Sequence, residues 1–175
     1  DYGLADKKAV IEAMAKRYKY LDLNRVGIFG SSSGGFMTVS AMLQYPDFFK
    51  VGVASAAPND PSAYFHIWVE RYKGVDAVRD KKGTITAWKS QAEGNLEIAS
   101  KLKGHLLMIN GAQDDNVHVT HLYRMADRFI KAGKRFDMFV VPGAGHGVGG
   151  WRMQYSLVSD YFARHLLKSD RSGAT

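Results

Sequence analysis

The sequence predicts an α/β protein with a parallel sheet and helices on both faces. Four short apolar runs alternate with segments whose apolar residues recur every three or four positions, the spacing of helices. None of these runs alternates between apolar and polar residues, which is typical of parallel strands buried on both faces. The length of 175 residues suits one domain with a substantial core.

Each predicted element has a local signal. In the first helix, apolar residues at helical spacing run up to Asp22. The second helix begins at Gly34 and stops before Pro46, and the third ends at Gly133. The predicted helices are residues 5–20, 34–45, 117–132 and 151–167. The predicted strands are residues 25–30, 50–56, 106–111 and 136–141. Residues 58–104 mix aromatic, glycine and charged residues, so we expect loops with short helices there.

Composition and charge exclude several classes of function. The absence of Cys excludes disulfides, cysteine nucleophiles and thiolate metal sites. The net charge of +7 raises nucleic-acid binding, but the basic residues are scattered rather than interleaved with aromatic residues, so we predict no nucleic-acid partner. No run of about 18 apolar residues is present. The first residues lack Met and do not resemble a signal peptide, which predicts a longer polypeptide.

The loop after the first strand holds a candidate nucleophile. Residues 30–34 fit the pattern G-x-S-x-G, in which the central Ser32 occupies a strained turn from strand to helix. We expect the flanking glycines to be required for space, and the backbone N–H of Ser33 to face a developing oxyanion. The alternative is that the three serines cap a helix. Ser31 and Ser33 are weaker candidates because neither has glycine two residues away on both sides.

Candidate partners follow the third and fourth strands. Asp114 or Asp115 could orient an imidazole, or cap helix 117–132, and we expect the capping role for Asp115. His146 lies between two glycines after the fourth strand and is the candidate general base. The order Ser, Asp, His is that of α/β-hydrolases, so we predict that fold with this catalytic triad. His118 and His121 could suggest a metal, but no free carboxylate completes a ligand set, and we predict neither metal nor cofactor.

Five segments together resemble the prolyl oligopeptidase family, in particular its dipeptidyl peptidase IV branch. The resemblance implies that the first aspartate of the pair, Asp114, is the triad member. One departure is Ser31, where the branch usually has Trp. The segments are residues 30–36, 45–50, 70–74, 111–118 and 142–147.

The resemblance also implies a substrate pocket. Tyr64 and Trp68 have the spacing of two aromatic residues that line the P1 pocket in the family, although the second is usually Tyr. Val117 would add an apolar wall, and Asn116 would bind the P2 carbonyl of the substrate. An aromatic box suits the apolar ring of proline. The alternative for the two aromatic residues is ordinary core packing.

The function implied is a serine peptidase that releases N-terminal dipeptides after Pro or Ala. An acylaminoacyl-peptidase, an oligopeptidase, an esterase and a non-catalytic scaffold are the alternatives. The family's domain has further N-terminal strands, with a Tyr in the oxyanion hole, and a β-propeller that binds the substrate's amino terminus. We therefore expect residues 1–175 to be the C-terminal part of a catalytic domain, poorly active alone. We also expect a free sheet edge that favours homo-oligomers, and a periplasmic or extracellular location.

Overall fold

The computed structural model of the chain describes residues 3–90, 94–148 and 150–169. Within these residues it has six strands and five α-helices. The strands are β1 (Gly27–Ser31), β2 (Val51–Ser55), β3 (Val75–Arg79), β4 (Ile85–Ser90), β5 (His105–Gly111) and β6 (Asp137–Val141). The helices are α1 (Leu4–Arg17), α2 (Ser33–Gln44), α3 (His66–Lys73), α4 (Thr120–Lys131) and α5 (Trp151–His165).

The main sheet is parallel, in the order β1-β2-β5-β6. This confirms the predicted α/β class, and every predicted strand of the main sheet is present within two residues of its expected bounds. Because all four strands run the same way, the loops that follow β1, β5 and β6 leave the same edge of the sheet. These are the three loops that carry the candidate catalytic residues.

The core has two layers, one on each face of the sheet. Successive residues of β5 alternate between them, with Leu106 and Met108 in one cluster and Leu107 and Ile109 in the other. The first cluster joins the sheet to α2 and α4, and the second joins it to α5. Burial on both faces is therefore the reason that β5 is apolar at consecutive positions.

The segment between β2 and β5 contains more regular structure than predicted. Besides α3 and short 3-10 turns, β3 and β4 form an antiparallel hairpin apart from the main sheet. Asp80 closes its turn, since its Oδ1 accepts the backbone N–H groups of Lys82 and Thr84, and Gly83 has a φ of +84°. The expectation of only loops and short helices was wrong because the hairpin is largely exposed and carries no continuous apolar run.

Helix ends differ from the sequence-based expectations by up to three residues. Helix α1 ends at Arg17 rather than at residue 20, and α4 begins at Thr120 rather than at residue 117. Among the helices of the described ranges, none has both the length and the apolar character that a membrane span requires.

Candidate active site

Ser32 occupies a strained turn between β1 and α2. Its φ is +57° and its ψ is −122°, a region that costs a residue with a side chain on the order of 1–3 kcal/mol. Its N–H donates to the Ser55 carbonyl oxygen at 2.9 Å, and its own carbonyl oxygen accepts the Phe36 N–H at 3.0 Å. Bonds to the end of β2 and to the first turn of α2 therefore hold Ser32 in this conformation.

Two glycines make the tight turn possible, but they are not the pair that flanks Ser32 in the motif. A Cβ at Gly30 would collide with the backbone of Gly34, and a Cβ at Gly35 would collide with the Ser55 carbonyl oxygen. A Cβ at Gly34 would meet open space. The expectation that glycine is required for space was thus right at Gly30 and wrong at Gly34, because the crowded face of α2 is the face against β2.

Asp114 is buried at the end of β5, with 1% of its surface exposed. Its Oδ1 accepts the backbone N–H groups of Asn116 at 3.0 Å and Val117 at 2.8 Å. The expectation that Asp115 would cap the following helix was wrong. Asp115 is exposed, Asp114 accepts the loop N–H groups, and the N-cap residue Val119 has no side-chain cap.

His146 lies against Asp114, with its Nδ1 at 2.9 Å from the Asp114 Oδ2 and 3.2 Å from Oδ1. Because a carboxylate only accepts hydrogen bonds, this contact favours the tautomer with the proton on Nδ1. Nε2 is then left with a lone pair, and 31% of the side chain remains exposed. Among the hydrogen bonds of the described residues, none joins the Ser32 Oγ to His146. The structure thus pairs two of the three candidates.

Gly111 allows the His146 loop to lie on the end of β5. The carbonyl oxygens of Ala144 and Gly145 lie where a Cβ of residue 111 would be. The loops are also joined by backbone bonds, from the Gln113 N–H to the Ala144 carbonyl oxygen at 3.0 Å and from the Ala112 N–H to the Val141 carbonyl oxygen at 2.9 Å. These contacts fix the position from which His146 reaches Asp114.

Asn110 is a buried polar residue that the sequence reasoning missed. Its Nδ2 donates to the carbonyl oxygens of Val117 at 3.1 Å and Gly111 at 3.2 Å, and lies 3.5 Å from the Asp114 Oδ2. It therefore closes the loop that carries Asp114. The available signal was an amide side chain at the carboxyl end of an otherwise apolar strand, since a buried polar group requires partners.

The predicted substrate-binding residues are partly brought together. The Tyr64 hydroxyl donates to the Asn116 Oδ1 at 2.9 Å, and the Tyr64 and Trp68 rings meet edge to face at 5.3 Å. Both aromatic side chains are half-buried rather than enclosed in the core. Burial and the nearby charge of Asp114 raise the pKa of Tyr64. Val117 is fully buried, so its side chain lies inside the protein and not on an open wall.

A cavity of about 330 Å³ opens beside the candidate nucleophile. Ser33, the residue after Ser32, forms one side of it, and Trp68 forms another. The remaining lining residues are Phe36, Met37 and Tyr72.

The two histidines considered as metal ligands have separate surroundings. His121 is buried, its Nδ1 accepts the Asp60 N–H at 3.3 Å, and its ring packs edge-on against Tyr64. Burial lowers the pKa of His121. His118 is exposed, and its Nδ1 pairs with the Thr120 hydroxyl. In the part of the chain that the structure describes, no group of three or more His, Cys, Asp or Glu residues could hold a metal ion.

Comparison with known proteins places this chain in a family. The human dipeptidyl peptidase 8 is 31% identical over 162 residues, which cover 93% of this chain and 17% of that protein. A solved structure of a candidate dipeptidyl aminopeptidase IV from Bacteroides ovatus superposes with a TM-score of 0.77 at 31% identity, covering 92% of this chain and 22% of its own. The relatives also include an inactive dipeptidyl peptidase 10 from Rattus norvegicus, 30% identical over 144 residues, which cover 82% of this chain and 17% of that protein.

The chain spans about a fifth of the length of these relatives, 17% of the human protein and 22% of the Bacteroides chain. The family model described as the prolyl oligopeptidase family matches residues 1–169, which is nearly the whole sequence. The fold, with its parallel sheet and flanking helices, agrees with that of the solved relative. This chain therefore belongs to the prolyl oligopeptidase family of peptidases.

Proposed function

We propose that the protein containing this chain is a serine peptidase that forms an acyl-enzyme on Ser32. The observation that carries the proposal is the contact of 2.9 Å between His146 Nδ1 and the buried Asp114 carboxylate. It lies at the same edge of the sheet as a serine held at a φ of +57°. Ordinary helix capping does not require that strained conformation.

The proposed reaction follows from the roles of these groups. The Ser32 Oγ attacks the carbonyl carbon of the scissile bond as its proton passes to His146 Nε2. The C–N bond then breaks, and His146 gives that proton to the leaving amine. Water attacks the acyl-enzyme by the same route in reverse, which releases the acid and restores Ser32. Asp114 keeps the imidazole oriented and stabilises its positive charge.

A backbone N–H group stabilises the oxyanion that forms during this reaction. Ser33 is the first residue of α2, and the first N–H groups of a helix have no acceptor inside it. The Ser33 N–H therefore supplies one of the donors, and the positive end of the helix dipole adds to the effect. Removing one such donor costs on the order of 10²–10³ in rate. A second donor would come from the rest of the longer polypeptide, so we propose that residues 1–175 alone are poorly active.

The proposed substrates are peptides with a free amino terminus, cleaved after the second residue, with Pro and Ala among the P1 residues. The relative named dipeptidyl peptidase 8 supports dipeptide release. Tyr64 and Trp68 offer an aromatic P1 pocket. The Asn116 Oδ1 is occupied by the Tyr64 hydroxyl, which leaves the amide Nδ2 to donate to the P2 carbonyl. A periplasmic or extracellular location stays a prediction from the resemblance.

The second candidate function is a non-catalytic scaffold. It is favoured by the inactive relative and by the lack of a hydrogen bond between Ser32 and His146 within the described ranges. Catalytic hydrogen bonds that are long without substrate often tighten in the complex, so that gap does not decide between the two candidates.

Labelling with a fluorophosphonate distinguishes the serine peptidase from the non-catalytic scaffold. In the full-length protein we expect an adduct on Ser32, located by peptide mass spectrometry, which is lost in Ser32→Ala and retained in the neighbouring control Ser31→Ala. Free-amine dipeptide amides should be cleaved faster than the same substrates with a blocked amino terminus. Preference for blocked substrates would instead assign the protein to the acylaminoacyl-peptidases, oligopeptidases or esterases. Absence of any adduct would favour the scaffold.

A further inference from the structure

We propose that the cavity beside Ser33 extends the P1 pocket, so that the enzyme cleaves after bulky apolar residues faster than after Ala. This inference rests on the proposed function and specifies its substrates. The lining side chains are Ser33, Phe36, Met37, Trp68 and Tyr72.

The position of the cavity ties it to the candidate nucleophile. Ser33, which follows Ser32 in the chain, is part of its wall. Trp68 is another wall residue, and its ring centroid lies 5.3 Å from that of Tyr64, whose hydroxyl donates to the Asn116 side chain. The Asn116 N–H in turn donates to Asp114 at 3.0 Å. A side chain that enters the cavity would therefore belong to the residue whose carbonyl lies at Ser32.

The size of the cavity exceeds what a small P1 residue can fill. Its volume of about 330 Å³ falls at the lower end of the roughly 300–1,000 Å³ of small-molecule pockets. The methyl group of Ala and the three-carbon ring of Pro would leave much of that space empty. Because the cavity is open, water would fill that remainder, and a longer apolar side chain that displaces this water binds better because it buries more of its apolar surface.

The chemistry of the walls selects apolar side chains. Phe36 and Met37 of α2 line the cavity together with Trp68 and Tyr72 of α3. Trp68 and Tyr72 lie one turn apart, and their ring centroids are 5.4 Å from each other. Of the described residues that line the cavity, none is charged. An Asp or Lys at P1 would have to give up its hydration without an ionic partner. Met37 is flexible and unbranched, which suits side chains of different shapes.

The test compares kcat/KM of the full-length protein for free-amine Gly-X fluorogenic amides, with X as Ala, Pro, Leu, Met, Phe or Asp. We expect Leu, Met or Phe to exceed Ala by about tenfold or more, since each extra methylene in an apolar pocket is worth roughly 10–200-fold. We expect Asp to be the poorest substrate.

Met37→Trp, which fills the cavity, should lower the ratio of kcat/KM for the Phe substrate to that for the Ala substrate by about tenfold, because Ala does not reach that space. Met138→Trp, on the exposed side of β6, should leave the ratio unchanged.

A second variant guards against misfolding of the first. Met37→Ala enlarges the cavity and should raise the ratio of Phe to Met substrates. The inference is overturned if Ala or Pro exceeds every bulky residue, or if neither Met37 variant changes the ratios. In that case a fluorophosphonate adduct on Ser32 would show that the proposed function still stands. Absence of both hydrolysis and adduct would overturn the proposed function and this inference together.

Discussion

The backbone carbonyl of Ala144 lies directly over Gly111, in the space that any side chain at position 111 would occupy. Neither partner can yield easily, because both are backbone and the Ala144 oxygen also accepts the Gln113 N–H at 3.0 Å. The close approach places the His146 loop on the end of the strand that leads to Asp114. Through this contact Gly111, which has no reactive side chain, sets the distance between Asp114 and His146.

Gly111→Ala is expected to displace the His146 loop and to reduce kcat by about 100-fold, the effect of a misplacement of about 1 Å. Overpacking of this kind also costs roughly 1–3 kcal/mol of stability. Steady-state kinetics and the melting temperature of the full-length protein measure the two effects. Gly143→Ala is the matched control in the neighbouring loop, because a Cβ there meets open space. Equal activity of the two variants would contradict the positioning role of Gly111.

Asp114→Asn is expected to lower kcat by about 10⁴, because an amide neither holds the imidazole in the same tautomer nor stabilises its positive charge. Asp115→Asn is the control, since Asp115 is exposed, and it should change kcat by less than about twofold. Steady-state kinetics of the full-length variants on a Gly-Ala amide give the comparison. If the Asp115 variant showed the larger loss, the assignment of the triad carboxylate would be wrong.

His121 is expected to make the segment around Tyr64 less stable in acid. Burial lowers its pKa from the ordinary value of 6.5 despite the nearby charge of Asp60, while Arg124 and His118 lower it further. The unfolded segment therefore binds the proton more readily than the folded one, so stability is lost as the pH falls below about 6.5. Protonation would also end the acceptance of the Asp60 N–H by Nδ1.

Hydrogen exchange followed by mass spectrometry at pH 7.5 and pH 5.5, corrected for the intrinsic exchange rate, tests this effect. Peptides covering residues 58–64 should lose protection at pH 5.5 in the wild type, and the loss should be smaller in His121→Gln. His118→Gln is the control, since His118 is exposed and makes the smallest of the contributions that shift the pKa of His121. A pH effect unchanged by His121→Gln would exclude this histidine as its source.

The isolated chain is expected to self-associate through β1. This strand pairs only with β2 among the described strands, and its Phe29 is 64% exposed. Phe29 borders an apolar groove of about 410 Å³ against Tyr155, Val158 and Phe162 of α5. Unpaired strand edges beside apolar surface favour pairing with a second chain.

Sedimentation velocity over a range of concentrations measures that association. Phe29→Lys should shift the isolated chain toward monomer, because a charge on an edge strand opposes pairing. Phe65→Lys, which removes a similarly exposed aromatic residue from the start of α3, should not. A wild-type chain that stays monomeric at high concentration would refute the prediction.

Local signals were sufficient for the main elements. The apolar run of β5 and the helical spacing of α4 are properties of neighbouring residues, and both elements formed close to their predicted bounds. The β3–β4 hairpin was missed because its strands are largely exposed and lack the apolar pattern of the main sheet. The expected cap at Asp115 was wrong because α4 begins only at Thr120, and residue types do not reveal which of two adjacent carboxylates turns inward.

The sequence by itself determined the parallel α/β class, the three loops that carry Ser32, Asp114 and His146, and the order of these residues, because each is read from adjacent residues. Only the tertiary structure decided that Asp114 and His146 meet at 2.9 Å. The tertiary structure also revealed the crowding at Gly35 and Gly111 and the cavity between α2 and α3. These features join segments that are distant in the chain, and their spacing depends on how the sheet and helices pack.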